Sequence, residues 1–483
     1  MTQFWRMPVG VLSGLLNERA VSSAQLLDHF LQRIARLDGA LNTVIAFNPA
    51  AHGQAAASDR RRARGESLGP LDGVPITVKD NILTGDIPTR WGSAVYADGV
   101  PDADETPVAR LKAAGMVILG KTNVPEFTLE GITDNPLFGP TRNPWDPSVT
   151  PGGSSGGAVS GVAAGLFPAA IGTDGGGSIR RPCGYTGLFG LKPSIGRVAR
   201  VETLPQILFD METVGPIARD VAGAALVFDA MAGPAAHDPR SWLPAEPNSG
   251  SPLDAPPHAM RILYVERFGE APLDPAIAAS LRTVAQRFED LGHRVETGVL
   301  PLDIAALNAH WPCIGEAGLA FAARMIGAGF SAASPKFRAM AQRGDSRSAG
   351  EMFQIFDLIA RLRRQAAACF ADWDVILTPS CACMPWPVGV DWPEVIDRVA
   401  VGPRGHAVYT GWVNAIAHPA INLPAPPAES GMPVGAHLVA AFNRDRLLLR
   451  LARQYETSYP WAGRWPDLAE TPRAGPNGAE FGD

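Results

Sequence analysis

Two serines, each preceded by glycines, lie in one stretch of mostly small and uncharged residues at 150–197. Ser154 follows a pair of glycines, and Ser178 follows three. In such a context the hydroxyl is uncrowded and backbone N–H groups can approach a ligand, as acyl transfer requires. A helix pattern at 158–165 and a strand pattern at 167–171 separate the two serines. Because flexible linkers do not alternate with packed elements, this stretch predicts a folded α/β unit.

Six segments carry a resemblance to a known family. They are GVPITVKDN at 73–81, GKTNVPEF at 120–127, NPWDPSVTPGGSSGGA at 143–158, GTDGGGSIRRP at 172–182, DVILTPS at 374–380 and HPAINLP at 418–424. With them the chain resembles the amidase signature hydrolases over about residues 8–458, and least so at about 230–370. The resemblance implies a hydrolase that cleaves carboxylic amide C–N bonds.

Alternating strand and helix patterns at 74–196 predict an α/β sheet. The resemblance adds a large mixed β-sheet covered by helices on both faces. It implies one domain at 1–460, in which a variable, mainly helical region at about 232–372 shapes the substrate pocket. Residues 461–483 contain proline and glycine and read as a C-terminal tail.

The family's catalytic triad carries over onto Lys79, Ser154 and Ser178. An unassisted serine hydroxyl is a weak nucleophile, so Ser178 would attack the amide carbonyl while its proton passes through Ser154 to a neutral Lys79. Making a lysine neutral at pH 7 costs about 4 to 5 kcal/mol in water. Lys79 ends an apolar strand pattern, and burial there would lower that cost.

The backbone N–H groups of Gly175, Gly176, Gly177 and Ser178 are the predicted oxyanion hole, because residues without side chains let the backbone approach a carbonyl oxygen. Many relatives have Thr or Ile at the position of Gly175. The glycine in this chain predicts a more flexible loop.

Three further polar residues are predicted to support the site. By resemblance, Asp174 and Arg180 are structural charges that hold the glycine loop. Ser155 has two open roles, since it would either support the proton relay or cap the helix that follows.

Three residues are candidates for contacting the substrate. Arg181 lies where some family members that act on carboxylate-bearing substrates place a carboxylate-binding arginine, although an ion pair within the loop is the more common use of such a residue. Cys313 and Trp412, with other tryptophans, would suit an aryl or apolar amide, and core packing explains tryptophans equally well. Carbamates (urethanes) and esters pass through a similar oxyanion and remain open as substrates.

One alternative lies within the same family. It is the glutaminase-type amidase subunit of a transfer-RNA amidotransferase complex, which would need partner subunits and a glutamine pocket. Neither is visible in the sequence, so a free-standing hydrolase is the preferred interpretation.

Two motifs compete with this interpretation. Residues 115–122, GMVILGKT, match the P-loop pattern, but their variable positions read as a buried strand and a helix pattern precedes them. The pattern G-x-S-x-G occurs at 152–156 and 153–157, where an α/β-hydrolase esterase would need a preceding strand. The preceding segment contains three prolines, and the best-placed histidine, His418, favours a structural role.

Composition indicates a cytoplasmic enzyme. The formal net charge of −6 gives no reason to expect nucleic acid or membrane as a partner. Five cysteines form no paired framework, which indicates reduced thiols, and no metal site or cofactor is predicted. A small-molecule amide and water are the expected partners, and a monomer or homodimer is the expected state.

Overall fold

A computed structural model describes residues 3–247 and 250–468. The strands of this part of the chain are β1 Val44–Phe47, β2 Pro75–Lys79, β3 Val117–Thr122, β4 Ala169–Asp174, β5 Phe189–Lys192, β6 Thr213–Ala218, β7 Arg261–Tyr264, β8 Arg294–Thr297, β9 Val375–Pro379, β10 Val395–Ile396, β11 Val399–Ala400, β12 Ala420–Ala425 and β13 Val434–Ala440. The α-helices are α1 Val9–Asn17, α2 Ser23–Leu41, α3 Ala51–Arg64, α4 Thr106–Ala113, α5 Gly156–Ala163, α6 Arg180–Thr186, α7 Val221–Met231, α8 Pro275–Asp290, α9 Ile304–Ile326, α10 Pro335–Asp345, α11 Ala349–Asp372, α12 Gly411–Ala415 and α13 Asp445–Ser458.

Eleven of the strands form one mixed sheet in the order β1-β3-β2-β4-β6-β5-β12-β13-β9-β7-β8. The neighbours β3, β2 and β4 are parallel, as are β8, β7 and β9, and the remaining pairs are antiparallel. Helices α6 and α8 contact β12 and β13, while α7 contacts β6 and is itself covered by α4 and α13. The predicted fold, an α/β protein with a large mixed sheet covered by helices on both faces, is confirmed.

The adjacent parallel strands β2 and β4 bring together residues that are distant in sequence. Thr77 pairs with Ala170 and Val78 with Ile171, so β2 and β4 run side by side in the same direction. Every residue of both strands is buried, as expected for parallel strands covered on both faces. Lys79 is the last residue of β2, and therefore lies at the same edge of the sheet as the end of β4.

The middle region combines long helices with two short strands that the sequence pattern does not predict. It contains β7 and β8, which extend the sheet beyond β9. Each has four residues, RILY and RVET, too few for a clear alternating pattern in the sequence. Helices α8, α9, α10 and α11 also lie in this region. Helices α9 and α11, together with α12 from later in the chain, enclose a hydrophobic cluster separate from the main core.

The first part of the predicted tail is packed. Trp461 is buried, and the ring of Trp465 meets the ring of Trp5 edge-on at 4.7 Å. The guanidinium of Arg219 lies 3.4 Å from the ring centroid of Trp465. Residues 461–468 thus pack against residues near the start of the described chain. Residues 469–483 lie outside the described residues.

The P-loop-like segment is a buried strand. Three of its four variable positions fall in β3, Met116 directly precedes that strand, and Gly115 follows the end of α4. Lys121 is fully buried and donates hydrogen bonds to the backbone oxygen of Ile82, at 2.5 Å, and to Thr89 Oγ1, at 2.8 Å. A lysine held in this way supports packing, so the match to the P-loop pattern is accidental.

Candidate active site

Lys79 lies at the centre of a buried hydrogen-bond cluster. Its Nζ donates to Ser154 Oγ at 2.8 Å, to Thr173 Oγ1 at 2.8 Å and to the backbone oxygen of Thr173 at 3.2 Å. Thr173 Oγ1 also accepts a hydrogen bond from Asn81 Nδ2 at 3.0 Å. The ends of two parallel strands therefore hold the amine against the first predicted serine.

The environment favours the neutral form of this amine. Burial lowers the pKa of Lys79 to about 7, although the negative charges of Glu212 and Asp174 act in the opposite direction. A lysine with such a pKa is neutral in a large fraction of molecules at pH 7, which a general base requires.

The two serines lie on adjoining segments. The backbone N–H of Ser155 donates to the backbone oxygen of Ser178 at 3.3 Å, and the Gly153–Ser154 peptide bond is cis. Ser178 retains 8% exposure, whereas Ser154 is 1% exposed. Ser178 is therefore the more accessible of the two predicted catalytic serines. Within the described chain no hydrogen bond joins their hydroxyls.

The predicted oxyanion loop is tightly packed. Gly177 has φ +117°, and a Cβ there would lie 2.2 Å from Thr410 Oγ1. A Cβ on Gly176 would lie 2.9 Å from the ring of Trp311. Thr410 Oγ1 donates to the backbone oxygen of Gly176 at 2.8 Å. These contacts give the loop a fixed shape, in contrast to the flexibility expected from its sequence.

One of the four predicted oxyanion donors is already in use. The N–H of Gly177 donates to Asp174 Oδ1 at 2.8 Å. No protein acceptor in the described chain takes the N–H groups of Gly175, Gly176 and Ser178. Three of the four predicted donors therefore have no protein acceptor in the described chain, and the fourth is held by the carboxylate of Asp174.

Asp174 and Arg180 form a buried ion pair beneath the loop. Arg180 donates from Nε to Asp174 Oδ2 at 2.9 Å and from Nη2 to Asp174 Oδ1 at 2.8 Å. Asn414 Nδ2 adds hydrogen bonds to the Asp174 backbone oxygen at 2.8 Å and to Oδ1 at 3.1 Å. Burial alone would raise the pKa of Asp174, but the charge and hydrogen bonds of Arg180 outweigh it and hold the pKa well below its usual range.

Ser155 does not cap the helix that follows. It occupies the N-cap position of α5 without a side-chain capping bond, and its Oγ instead donates to the backbone oxygen of Thr173 at 3.3 Å. Since that same oxygen accepts from Lys79, Ser155 lies beside the lysine cluster.

The candidate substrate-binding residues have different surroundings. Arg181 is 6% exposed, and its Nε lies 2.8 Å from the position that a Cβ would take on Gly177. Cys313 is half-buried on α9 and packs on the second hydrophobic cluster. Trp412 is fully buried and donates from its indole N–H to the backbone oxygen of Tyr409 at 2.9 Å. Of the three, only Arg181 touches the glycine loop by these contacts.

Several residues of this site were not singled out from the sequence. Thr173 contacts Lys79, while Thr410 and Asn414 contact the glycine loop and its ion pair. Thr173 belongs to the GTDGGGS segment, so its position beside the predicted site residues could have identified it as part of the site. The other two lie more than two hundred residues away on a segment without a glycine–serine pattern.

The nucleophile-elbow alternative lacks its structural context. Residues before Ser154 form turns and isolated bridges, and no strand leads into the serine. His418 Nδ1 lies 2.7 Å from the backbone oxygen of Ile416, and its ring stacks on Phe370 at 5.1 Å. His418 is thus a structural histidine.

A small cleft of about 40 Å³ adjoins the glycine loop. Leu208 and Glu212, which line it, are also the side chains nearest to the position of a Cβ on Gly175. Asn81, another lining residue, contacts Thr173. The cleft therefore lies next to the lysine cluster and the glycine loop.

We expect Asp174→Asn to lower the free energy of unfolding by about 3 to 5 kcal/mol, because it leaves the buried guanidinium of Arg180 without a counter-ion. Urea denaturation followed by circular dichroism measures this loss. The matched control is Asp357→Asn, which removes an ion pair to Arg361 whose side chains are 62% and 50% exposed. That change should stay within about 0.5 kcal/mol. Similar small losses in both variants would contradict a structural role for the buried pair.

Sequence relatives cover almost the whole chain. One of them, a glutamyl-tRNA(Gln) amidotransferase subunit of Moorella thermoacetica, is 34% identical over 95% of this chain and 97% of the relative. The subunit of the same name from Thioalkalivibrio sulfidiphilus is 34% identical over 95% of this chain and 98% of the relative.

These relatives correct the prediction about partners. From the sequence we expected only a small-molecule amide and water, no nucleic acid, and a monomer or homodimer. The relatives are subunits of an amidotransferase for glutamyl-tRNA(Gln), which makes that prediction wrong. The net charge of the whole chain was a poor guide, because it carries no information about contacts made within an assembly.

Solved structures share the fold. A bacterial aryl acylamidase of the amidase signature family has a TM-score of 0.88 and 27% identity over 95% of this chain and 99% of its own. The peptide amidase of Stenotrophomonas maltophilia has a TM-score of 0.81 and 28% identity over 96% of this chain and 99% of its own. The sequence pattern of the family described as Amidase matches residues 25–449. The chain therefore belongs to the Amidase family and is an amidase signature enzyme that acts on amide C–N bonds.

Proposed function

We propose that Ser178 is the nucleophile of an amide hydrolase, activated by Ser154 and a neutral Lys79. The observation that carries this proposal is the 2.8 Å hydrogen bond between Lys79 Nζ and Ser154 Oγ in a fully buried cluster. Ser178 is the partly exposed serine, as a group that attacks a substrate must be.

The chemistry proceeds in two halves. Ser178 Oγ bonds to the amide carbonyl carbon, and its proton passes through Ser154 Oγ to Lys79 Nζ. The C–N bond then breaks, and the leaving amine takes the proton back along the same path, which leaves an ester on Ser178. Water repeats the sequence on this ester, releasing a carboxylic acid and restoring the serine.

The tetrahedral intermediates need hydrogen-bond donors at their oxyanion. We assign this role to the N–H groups of Gly175, Gly176 and Ser178, which have no protein acceptor in the described chain. Each such donor typically lowers the barrier of acyl transfer by about 3 to 4 kcal/mol. Asp174 and Arg180 support the reaction indirectly by holding the loop in shape.

We propose glutamine as the substrate and a transfer-RNA amidotransferase complex as the setting of the reaction. The support is the name shared by relatives that match 95% of this chain, all of them glutamyl-tRNA(Gln) amidotransferase subunits. In this role the enzyme releases ammonia from the glutamine side chain, and partner subunits use it on a transfer RNA. Arg181, which borders the glycine loop, is proposed to hold the carboxylate of glutamine.

Aryl or apolar small amides, the first choice from the sequence, form the second candidate. The ring of Trp311 covers Gly176 and would suit such a group, and one solved neighbour is an aryl acylamidase. Cleavage of carbamates or esters would use the same intermediates. These substrates have less support than glutamine, because the sequence relatives with higher identity are the amidotransferase subunits.

We also propose a cytoplasmic location. Cys183, Cys313, Cys369, Cys381 and Cys383 are unpaired thiols. Thiols persist in reducing compartments, which supports this assignment.

Activity should depend on the protonation of Lys79. We expect kcat/KM for amides to fall as the pH drops below about 7, because protonated Lys79 cannot accept the serine proton. Lys79→Ala should lose about 10²- to 10⁴-fold in amide turnover while remaining folded, and Lys79→Arg should not restore it, since arginine stays protonated. Rate measurements across pH 5 to 9, about two units either side of this pKa, test both expectations.

A second buried lysine provides the control for this pH profile. Burial also lowers the pKa of Lys192 to about 7, although its Nζ donates only to the backbone oxygen of Pro193, at 2.9 Å, in the described chain. Lys192→Met should leave the midpoint of the profile unchanged. A midpoint that disappears in this variant, or near wild-type turnover by Lys79→Arg, would contradict the assigned base.

The substrate proposal is tested with the full-length chain purified under native expression. We expect it to retain partner subunits and to release glutamate and ammonia from glutamine, and Ser178→Ala should abolish the release. An anilide and a neutral aliphatic amide serve as comparison substrates. If the chain purifies alone and cleaves the anilide faster than glutamine, the aryl amide candidate replaces the amidotransferase.

A further inference from the structure

Two arginines near the glycine loop have no counter-ion. Arg181 is at the start of α6, and its Nε is buried without a hydrogen-bond partner. Arg404 follows β11, and its Nε and Nη2 are buried without partners. Within residues 3–247 and 250–468, neither guanidinium forms an ion pair. Buried cations normally have a partner, because transferring a charge out of water is costly.

Both arginines approach the segment that precedes Ser178. Arg181 Nε lies 2.8 Å from the position of a Cβ on Gly177. The guanidinium carbon of Arg404 lies 4.9 Å from the ring centroid of Trp311, whose ring edge covers Gly176. Arg181 thus lies against the glycine loop directly, and Arg404 is linked to it through the ring of Trp311.

The two charges also act on each other. Burial and, to a smaller extent, the charge of Arg181 lower the pKa of Arg404 to about 9. Burial is likewise the main cause of the lowered pKa of Arg181. The nearest acid beneath the loop, Asp174, is occupied by Arg180, and burial keeps His406 neutral by holding its pKa well below its usual value. Local side chains therefore leave this positive charge uncompensated, and an anion would relieve the repulsion.

We propose that Arg404 is a second residue that binds the substrate carboxylate, together with Arg181. This inference rests on the proposed cleavage of amides at Ser178, and it defines the substrate class as amides that carry a carboxylate a few bonds from the scissile carbonyl. Arginine suits this role because its planar fork matches a carboxylate. The ring of Trp311, which lies against the Arg404 guanidinium, helps to hold that group near the glycine loop.

Kinetics with a matched pair of substrates tests the selection. Succinamate carries the carboxylate, and 4-oxopentanamide replaces it with a neutral acetyl group. In Arg404→Gln and in Arg181→Gln, the ratio of kcat/KM for succinamate to that for 4-oxopentanamide should fall about 10- to 100-fold, the effect of losing a charge-assisted hydrogen bond. Arg398→Gln, which alters an exposed arginine of the preceding turn, should leave the ratio unchanged.

Two further variants sharpen the result. If both arginines hold one carboxylate, the double variant should lose less than the product of the two single effects. Arg404→Lys should recover part of the ratio, because it restores the charge without the fork. Equal losses for both substrates in Arg404→Gln would overturn the proposal, since they would show that the residue only packs on Trp311.

Binding separates this inference from the proposed reaction. Ser178→Ala protein should bind succinamate in a calorimeter, and adding Arg404→Gln should weaken the dissociation constant about 10-fold or more. Arginine-dependent binding combined with no turnover of any amide by the unaltered enzyme would refute the reaction and retain the carboxylate site. If the enzyme turns over amides but binds succinamate equally well without either arginine, the carboxylate site alone would be refuted.

Discussion

The burial of one amine underlies the whole site. Lys79 is fully buried and retains three hydrogen-bond acceptors, one of them the hydroxyl of Ser154. In water this amine would be protonated at neutral pH, and desolvation brings its pKa to about 7. Two adjacent parallel strands create this environment, because β2 ends with the lysine and β4 ends beside it. The sheet therefore supplies both the position of the proposed base and its lowered pKa.

The glycine loop depends on a second buried charge. Asp174 binds Arg180 and takes the N–H of Gly177, so the loop cannot turn all its donors toward a ligand. Trp311 and Thr410, which come from other parts of the chain, pack on the neighbouring glycines. A loop that looks flexible in the sequence thus becomes rigid through long-range contacts. Rigid donors stabilise a developing negative charge without reorganisation.

Much of the fold was predictable from local patterns and family segments. The strand before Lys79, the helix after Ser154 and the strand inside the P-loop-like segment all appear in the structure. The family resemblance identified the residues around Lys79. Contacts between distant parts of the chain could not be predicted from local sequence patterns. Arg404 has no distinctive neighbours in sequence, and only the folded chain brings it over Trp311. The short strands β7 and β8 were missed because four residues carry too little periodicity.

Partner subunits were the property least accessible to this reasoning. Catalytic groups occur as short segments with a chemical signature, whereas an interface is spread over residues that are distant in sequence. Comparison with amidotransferase subunits therefore corrected the prediction about partners, while the proposed catalytic residues stayed the same.

The covalent adduct tests the central claim most directly. The enzyme is treated with a phosphonofluoridate, and intact mass and peptide mapping then locate the label. The account predicts one adduct on Ser178 that forms much more slowly in Lys79→Ala, because the lysine removes the proton of the attacking serine. A label on Ser154 or Ser155, or labelling at an unchanged rate without Lys79, would contradict it.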